Sequence, residues 1–180
     1  MDMAERNAPI LLRHTAPVEV DVAVVGGGPT GAMAALAAAK AGCRTAMVAP
    51  LAPHDPRTSA LLMPAIRLHD ALPIYRQKLN KALADAMAEC GAERSDAKAE
   101  DMRPGQHPIT IVAGEHQVKA SLVVAADGSN SKVRALMGFS VRRWPYDQSA
   151  FVTTLSHERP HGNTSTEFHT AAGPFTLVPL

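Results

Sequence analysis

Between Val18 and Val25 the apolar positions recur at period two: Val18, Val20, Val22 and Val24 share one face, and Ala23 and Val25 fill the other. A run apolar on both faces predicts a strand covered on both sides, as in the centre of a parallel sheet. Glycines follow at 26, 27 and 28, and the stretch from Gly31 to Gly42 is nearly all helix formers, ending in Lys40 and a glycine stop. Arg44 to Ala49 predicts the second strand. Further along, Leu79 to Glu89 predicts a helix, and Ile109–Val112 with Ser121–Ala126, joined through Ala113-Gly114-Glu115-His116, predict a hairpin feeding a buried strand. Ser131 to Gly138 predicts a short capped helix. The charged, small-residue stretch from Ala92 to Gln106 predicts an exposed connection with at most one strand. From about residue 139 the alternating runs Ala150–Leu155 and Thr164–Thr170, with a turn at Ala172-Gly173-Pro174, predict the start of a β-rich region. The chain holds no internal repeat.

Gly26, Gly28 and Gly31 fit the G-x-G-x-x-G spacing, and here the pattern sits between a strand and a helix, which is the context its chemistry needs. The first glycine permits the tight turn, the second lets backbone approach a diphosphate, and the third lets the helix pack on the sheet. The diphosphate would then rest on the helix N-terminus. The plain alternative is an alanine-rich helix after a glycine turn, with no ligand. One departure stands out. A carboxylate for the ribose hydroxyls is expected about 20 residues after the glycines, but the second strand ends in Ala49-Pro50 and the nearest acid is Asp55. Downstream, Asp127-Gly128 closes the later strand. An aspartate there can accept from ribose or flavin-chain hydroxyls, and the glycine allows close approach; the plain alternative is an ordinary Asp-Gly bend.

Composition narrows the partners. Eighteen basic and 17 acidic side chains among 180 residues create no field to draw nucleic acid or anionic lipid. One Trp, two Tyr and four Phe offer little surface for stacking bases. Cys43 and Cys90 stand in no C-x-x-C pattern and read as reduced thiols, which suits the cytosol. Met1 to Thr15 lacks a signal-peptide core, and no stretch is long enough to span a bilayer. His157, His161 and His169 lie around a Pro-Gly-Asn loop and read as surface histidines, so no metal site is expected.

Taken together, the glycine loop, the segment Ala126-Asp127-Gly128-Ser129-Asn130-Ser131-Lys132-Val133-Arg134 and the intermediate Arg57-Thr58-Ser59-Ala60-Leu61-Leu62 resemble the flavoprotein aromatic hydroxylases of the para-hydroxybenzoate hydroxylase type. Within that superfamily the chain is most similar to the ubiquinone-biosynthesis hydroxylases. Arg143 to Ala150, Ser165 to Thr170 and Gly173 to Leu180 are similar to that family's substrate-domain strands. The resemblance implies an α/β fold: a Rossmann-like FAD-binding domain with the start of a β-rich substrate domain, incomplete here. It implies FAD along Gly26, Gly28 and Gly31, Arg57 near the flavin, and Asp127-Gly128 in a motif shared between FAD and the reduced nicotinamide. The arginine that relatives carry before the 79–89 helix falls on Arg76 or Gln77.

The reaction so implied is ring hydroxylation. NAD(P)H reduces the flavin, O2 adds to give a flavin hydroperoxide, and its distal oxygen attacks an electron-rich ring; the cofactor carries the hard chemistry. The substrate would be an aromatic small molecule, polyprenylated or not. No catalytic acid or base is assigned. The implied location is cytoplasmic, with attachment to the inner membrane or to a ubiquinone-biosynthesis complex as an option. Two other readings stay open: another flavoprotein of this fold, such as a prenyl reductase or a halogenase, and a non-catalytic remnant. A halogenase should carry Trp-x-Trp-x-Ile, and Trp144 is the single tryptophan.

The same resemblance implies missing pieces. A Gly-Asp motif is expected beyond Leu180, and further substrate-domain strands between Arg67 and Arg76. The bridge Leu68-His69-Asp70-Ala71-Leu72-Pro73-Ile74-Tyr75 can be spelled CTA CAC GAC GCT CTT CCG ATC TAY, similar to the end of a common sequencing-library adapter. The competing reading is natural, a helix of the Leu-Asp-Ala-Leu type to which His69–Leu72 bears a likeness. The expected organisation is an FAD-binding domain in residues 1–67 and 76–138, a suspected artefactual junction at 68–75, and a substrate domain beginning at 139–180.

Overall fold

The structure is a computed structural model, and it describes residues 10–11, 16–50, 76–103, 105, 107–162 and 164–178. By their contacts the described residues fall into two compact units, one reaching to Ser140 and the other starting at Val141.

The first unit is built on a seven-stranded sheet. Its strands are β1 (Ile10–Leu11), β2 (Val18–Val25), β3 (Thr45–Val48), β4 (Glu93–Ser95), β5 (Asp101–Met102), β6 (Ile109–Ala113) and β7 (His116–Ala125), and its helices are α1 (Pro29–Lys40), α2 (Arg76–Glu89) and α3 (Lys132–Leu136). The sheet order is β1-β4-β3-β2-β7-β6-β5. β2 lies at the centre, parallel to β3 on one side and to β7 on the other. β5, β6 and β7 form an antiparallel meander at one edge. The sheet is therefore α/β with a parallel core, as the pattern predicts.

Alternation along β2 feeds two cores. Val22 and Val24 meet Ala32, Ala35 and Leu36 of α1 and Leu83 and Met87 of α2. Val18 and Val20, expected on the face of Val22 and Val24, lie instead with Ala23 and Val25 among Ile111, Val118, Ala120, Met102 and Val133 on the opposite face. The alternation breaks at Asp21, where the Asp21 and Val22 amides both donate to the Arg44 carbonyl. Alanines at 32 and 35 let α1 lie close on the sheet, and both are buried. Proline at the first helical position suits α1, because its missing N–H would have no partner in a first turn anyway. At the other end Gly42 has φ +85°, a left-handed stop after Lys40.

Two expectations are corrected. The stretch 92–106 is no exposed connection: it supplies β4 and β5, with Ser95, Ala99 and Met102 buried, and β4 pairs with both β1 and β3. Glu93 and Arg94 misled because a charged tip reports on the side chain, while the backbone beneath it completes the ladder. Conversely, Ala150–Leu155 forms no strand. Its alternation finds no neighbouring strand among the described residues, and Phe151 and Val152 are 90% and 84% exposed.

In the second unit β8 (Thr166–Thr170) and β9 (Gly173–Leu177) make a two-residue-loop hairpin. Phe168 stands opposite Phe175, ring centroids 6.2 Å apart, and the Thr170 hydroxyl donates to the Gly173 carbonyl at 2.7 Å.

Candidate functional site

The chain leaves β2 for β3 on one side of the sheet and later returns to β2's other side as β7. That reversal opens a crevice beyond the carboxyl ends of β2 and β7, the place where open α/β sheets bind ligands. The two ends are level. Val25 pairs with Ala125, and the Ala126 N–H donates to the Val25 carbonyl at 2.7 Å.

Gly26, Gly31 and the Ala126-Asp127 corner are packed together. Gly26 has φ +118°, and a Cβ there would strike the Ala126 carbonyl and come within 2.7 Å of the Asp127 nitrogen. A Cβ at Gly31 would collide with the Gly26 carbonyl oxygen and stand 3.4 Å from the Ala126 Cβ. Gly28 differs: no described atom lies within 4 Å of a Cβ built on it. It is the N-cap of α1 in extended geometry, and its carbonyl accepts from the Ala32 N–H at 2.9 Å. No side chain caps α1 and its first turn holds no acid. The first amides are thus left for an anion, which the helix dipole also favours.

Asp127 serves the fold directly. One carboxylate oxygen accepts from the Ser131 hydroxyl at 2.6 Å; the other accepts from the Lys132 and Val133 amides at 2.7 and 3.1 Å. Ser131 Oγ in turn accepts from the Arg134 N–H at 3.0 Å. Burial pushes the Asp127 carboxyl up, but the Ser131 hydroxyl and the Val133, Asp127 and Lys132 amides outweigh it and hold it below its usual range. Gly128, at φ +92°, turns the chain after this carboxylate. Arg134 closes the loop by donating from Nη2 to the Ser129 carbonyl at 2.8 Å. Ala125, Asp127, Gly128, Ser131, Arg134 and Phe139 line an open concavity beside this loop.

Of the residues singled out from sequence, the structure brings Gly26 against both Gly31 and the Ala126-Asp127 peptide, with Gly28 and Gly128 next to them in the chain. Arg57 and the 68–75 bridge lie outside the described residues. His157, His161 and His169 are exposed in the second unit. Cys43 is half-buried and Cys90 exposed, both as free thiols.

Sequence reasoning passed over Gly27 and Arg94. A Cβ at Gly27 would lie 2.9 Å from the Ala49 Cβ and 3.4 Å from Arg94 Nη2, so the loop's middle glycine presses against the end of β3. Arg94 reaches there from β4 and donates from Nη2 to the Pro50 carbonyl at 2.9 Å. The available signal is a cation on the strand next to β3, which the charged composition of that strand hides.

Comparison with known proteins finds partial matches. The family described as glucose inhibited division protein A matches residues 21–91. The ubiquinone hydroxylase UbiL of Rhodospirillum rubrum is 44% identical over 63 residues, covering 35% of this chain and 15% of that protein. The 3-demethoxyubiquinol 3-hydroxylase of Escherichia coli is 36% identical over 67 residues, covering 37% of this chain and 17% of its own. Among solved structures, the flavin-dependent monooxygenase PieE, in complex with FAD and substrate, superposes with TM-score 0.57 at 20% identity, over 68% of this chain and 33% of that one. The p-nitrophenol 4-monooxygenase PnpA of Pseudomonas putida gives TM-score 0.54 at 20% identity, over 68% and 44%. The chain thus matches less than half the length of these proteins. The similarity to ubiquinone hydroxylases is borne out at that extent, and the fold is the Rossmann-like fold shared with the two monooxygenases.

Proposed function

We propose that this chain is the nucleotide-binding portion of an FAD-dependent aromatic ring hydroxylase of ubiquinone biosynthesis, using NAD(P)H and O2. The observation that carries the reading is the shared corner of Gly26, Gly31 and Ala126-Asp127 at the switch point of the sheet. A dinucleotide-binding loop needs this arrangement: glycines where backbones touch, one glycine with free space, and uncapped helix amides facing that space.

FAD fits the residues present. The amides at the start of α1 and the backbone of Gly28 would hold its diphosphate. Gly128, which leaves room where a side chain would project, would let the flavin chain approach the end of β7. Asp127 acts as a positioning residue, since three hydrogen bonds commit its carboxylate to α3. When bound, FAD supplies the hydride acceptance and oxygen activation of the reaction. The protein's own part is to orient the cofactor and the ring and to exclude water. Arg57 is assigned to the flavin by family resemblance.

The substrate is proposed as an aromatic ring, polyprenylated or plain, held by the portion that begins at residue 139. Peripheral contact with the inner membrane, or with a complex of ubiquinone biosynthesis, belongs to the same proposal. No described helix is long and apolar enough to cross a membrane. The test is a flavin absorbance spectrum of the purified chain after reconstitution with FAD, followed by oxidation of NADH or NADPH with and without a prenylated phenol. Retained flavin supports the reading; a chain that excludes FAD at saturating concentration removes it in favour of a non-catalytic remnant.

A further inference from the structure

Among the described residues, Arg94 is a cation at the glycine loop that the dinucleotide reading does not use. Arg94 lies on β4, the strand beyond β3, and its guanidinium crosses the end of β3 to reach the glycine loop. Ala49 and Pro50 occupy the point where a ribose-binding carboxylate is expected. Ala49 is buried with its N–H on the Ser95 carbonyl at 3.1 Å, so this end of β3 is held against β4. The Pro50 carbonyl fixes Nη2 at 2.9 Å, and Nη2 stands 3.4 Å from a Cβ position on Gly27. Arg94 Nε is buried with no hydrogen-bond partner among the described residues. A guanidinium offers five N–H donors, and a buried donor left alone costs free energy.

Resting on the dinucleotide reading, we propose that Arg94 is a specificity-determining residue that anchors the adenosine half of the bound dinucleotide in place of the ribose carboxylate. A carboxylate accepts from the ribose diol; a guanidinium donates to the diol oxygens and adds a positive charge beside the diphosphate. Burial lowers the Arg94 pKa and the nearby Asp96 carboxylate opposes this, and the group stays cationic at neutral pH because arginine starts so high. The half-buried setting also strengthens its pull on an anion compared with an exposed arginine.

The experiment titrates the full chain with FAD and separately with ADP, which contains only the adenosine diphosphate half, comparing wild type with Arg94→Met and Arg94→Lys. Met keeps the apolar stem without the fork; Lys keeps the charge. Met is expected to weaken FAD and ADP in parallel by about tenfold or more, the loss of a charged hydrogen bond, with Lys between. Melting without nucleotide reads folding separately, and Lys preserves the comparison should Met melt early. FAD and ADP affinities within about twofold of wild type in both variants would overturn the proposal. So would a loss confined to FAD. A wild type that binds ADP but not FAD sinks the flavin reading while the ADP comparison still decides Arg94; one that binds neither sinks both.

Discussion

The Asp127 carboxylate and the Ser131 hydroxyl meet at 2.6 Å, and that contact ties the end of the central sheet to the first turn of α3. An aspartate that sequence alone would offer to a ligand is thereby a helix cap. Its role is to hold the loop that Gly128 turns.

Replacing Asp127 should therefore act first on stability. Asp127→Ala removes the acceptor for two amides and one hydroxyl and is expected to cost about 1–2 kcal/mol, the range of a lost N-cap. Asp127→Asn keeps one carbonyl oxygen and should cost less. Urea unfolding of the two variants checks the order; equal midpoints for Ala and wild type would contradict the capping role.

The same carboxylate predicts a pH dependence. Its folded pKa lies below the usual 3.8, so the unfolded chain takes up the proton first as pH falls. The stabilisation is whole above the unfolded pKa and fades as pH falls through the folded one. Wild type should exceed Asp127→Asn at neutral pH, and the gap should close only at strongly acid pH. A gap unchanged across that range would show that ionisation at 127 is immaterial.

Glycine substitutions should separate fold from binding. Gly31→Ala drives a Cβ into the Gly26 carbonyl, and Gly26→Ala adds a left-handed φ to a clash with Ala126. Each is expected to destabilise by about 2 kcal/mol or more. Gly28→Ala meets no described atom, so its melting should stay within about 0.5 kcal/mol of wild type while FAD affinity drops. Parallel thermal melts and FAD titrations distinguish the two outcomes.

Ser95 is wholly buried in β4 and its hydroxyl has no partner among the described residues. Ser95→Ala removes an unsatisfied polar atom at little loss of volume and should be neutral or stabilising by up to about 1 kcal/mol. A clear loss of stability would reveal a hydrogen bond to that hydroxyl.

On the surface, Asp21 and Arg44 pair at 2.9 Å, and the Arg44 amide also donates to Asp21 at 2.8 Å. The Arg44 side-chain hydrogen bond, then its backbone one, hold the Asp21 carboxyl below its ordinary value. Both groups are bathed in solvent, so Asp21→Asn should lower the melting temperature slightly at low salt. In high salt the difference should vanish, since exposed charges are screened.

β2, α1, β3, the β6–β7 hairpin and α3 were legible in the chain because each carries its own local signal: period-two valines, a glycine loop before an alanine helix, a serine cap. These are properties of neighbours within one segment, and burial follows from them. The spacing of Gly26, Gly28 and Gly31 likewise predicts a phosphate loop, and at Gly26 and Gly31 the close backbone approaches admit only glycine. What the order of residues did not contain was which distant backbones would touch. That Ala126 forbids a side chain at Gly26, that Asp127 turns toward α3, that β4 inserts beside β3 and carries Arg94 to Gly27, all depend on strand order, and pairing across the sheet is a contact between segments far apart in sequence. A charged strand looks like a loop until its neighbours close the ladder around it.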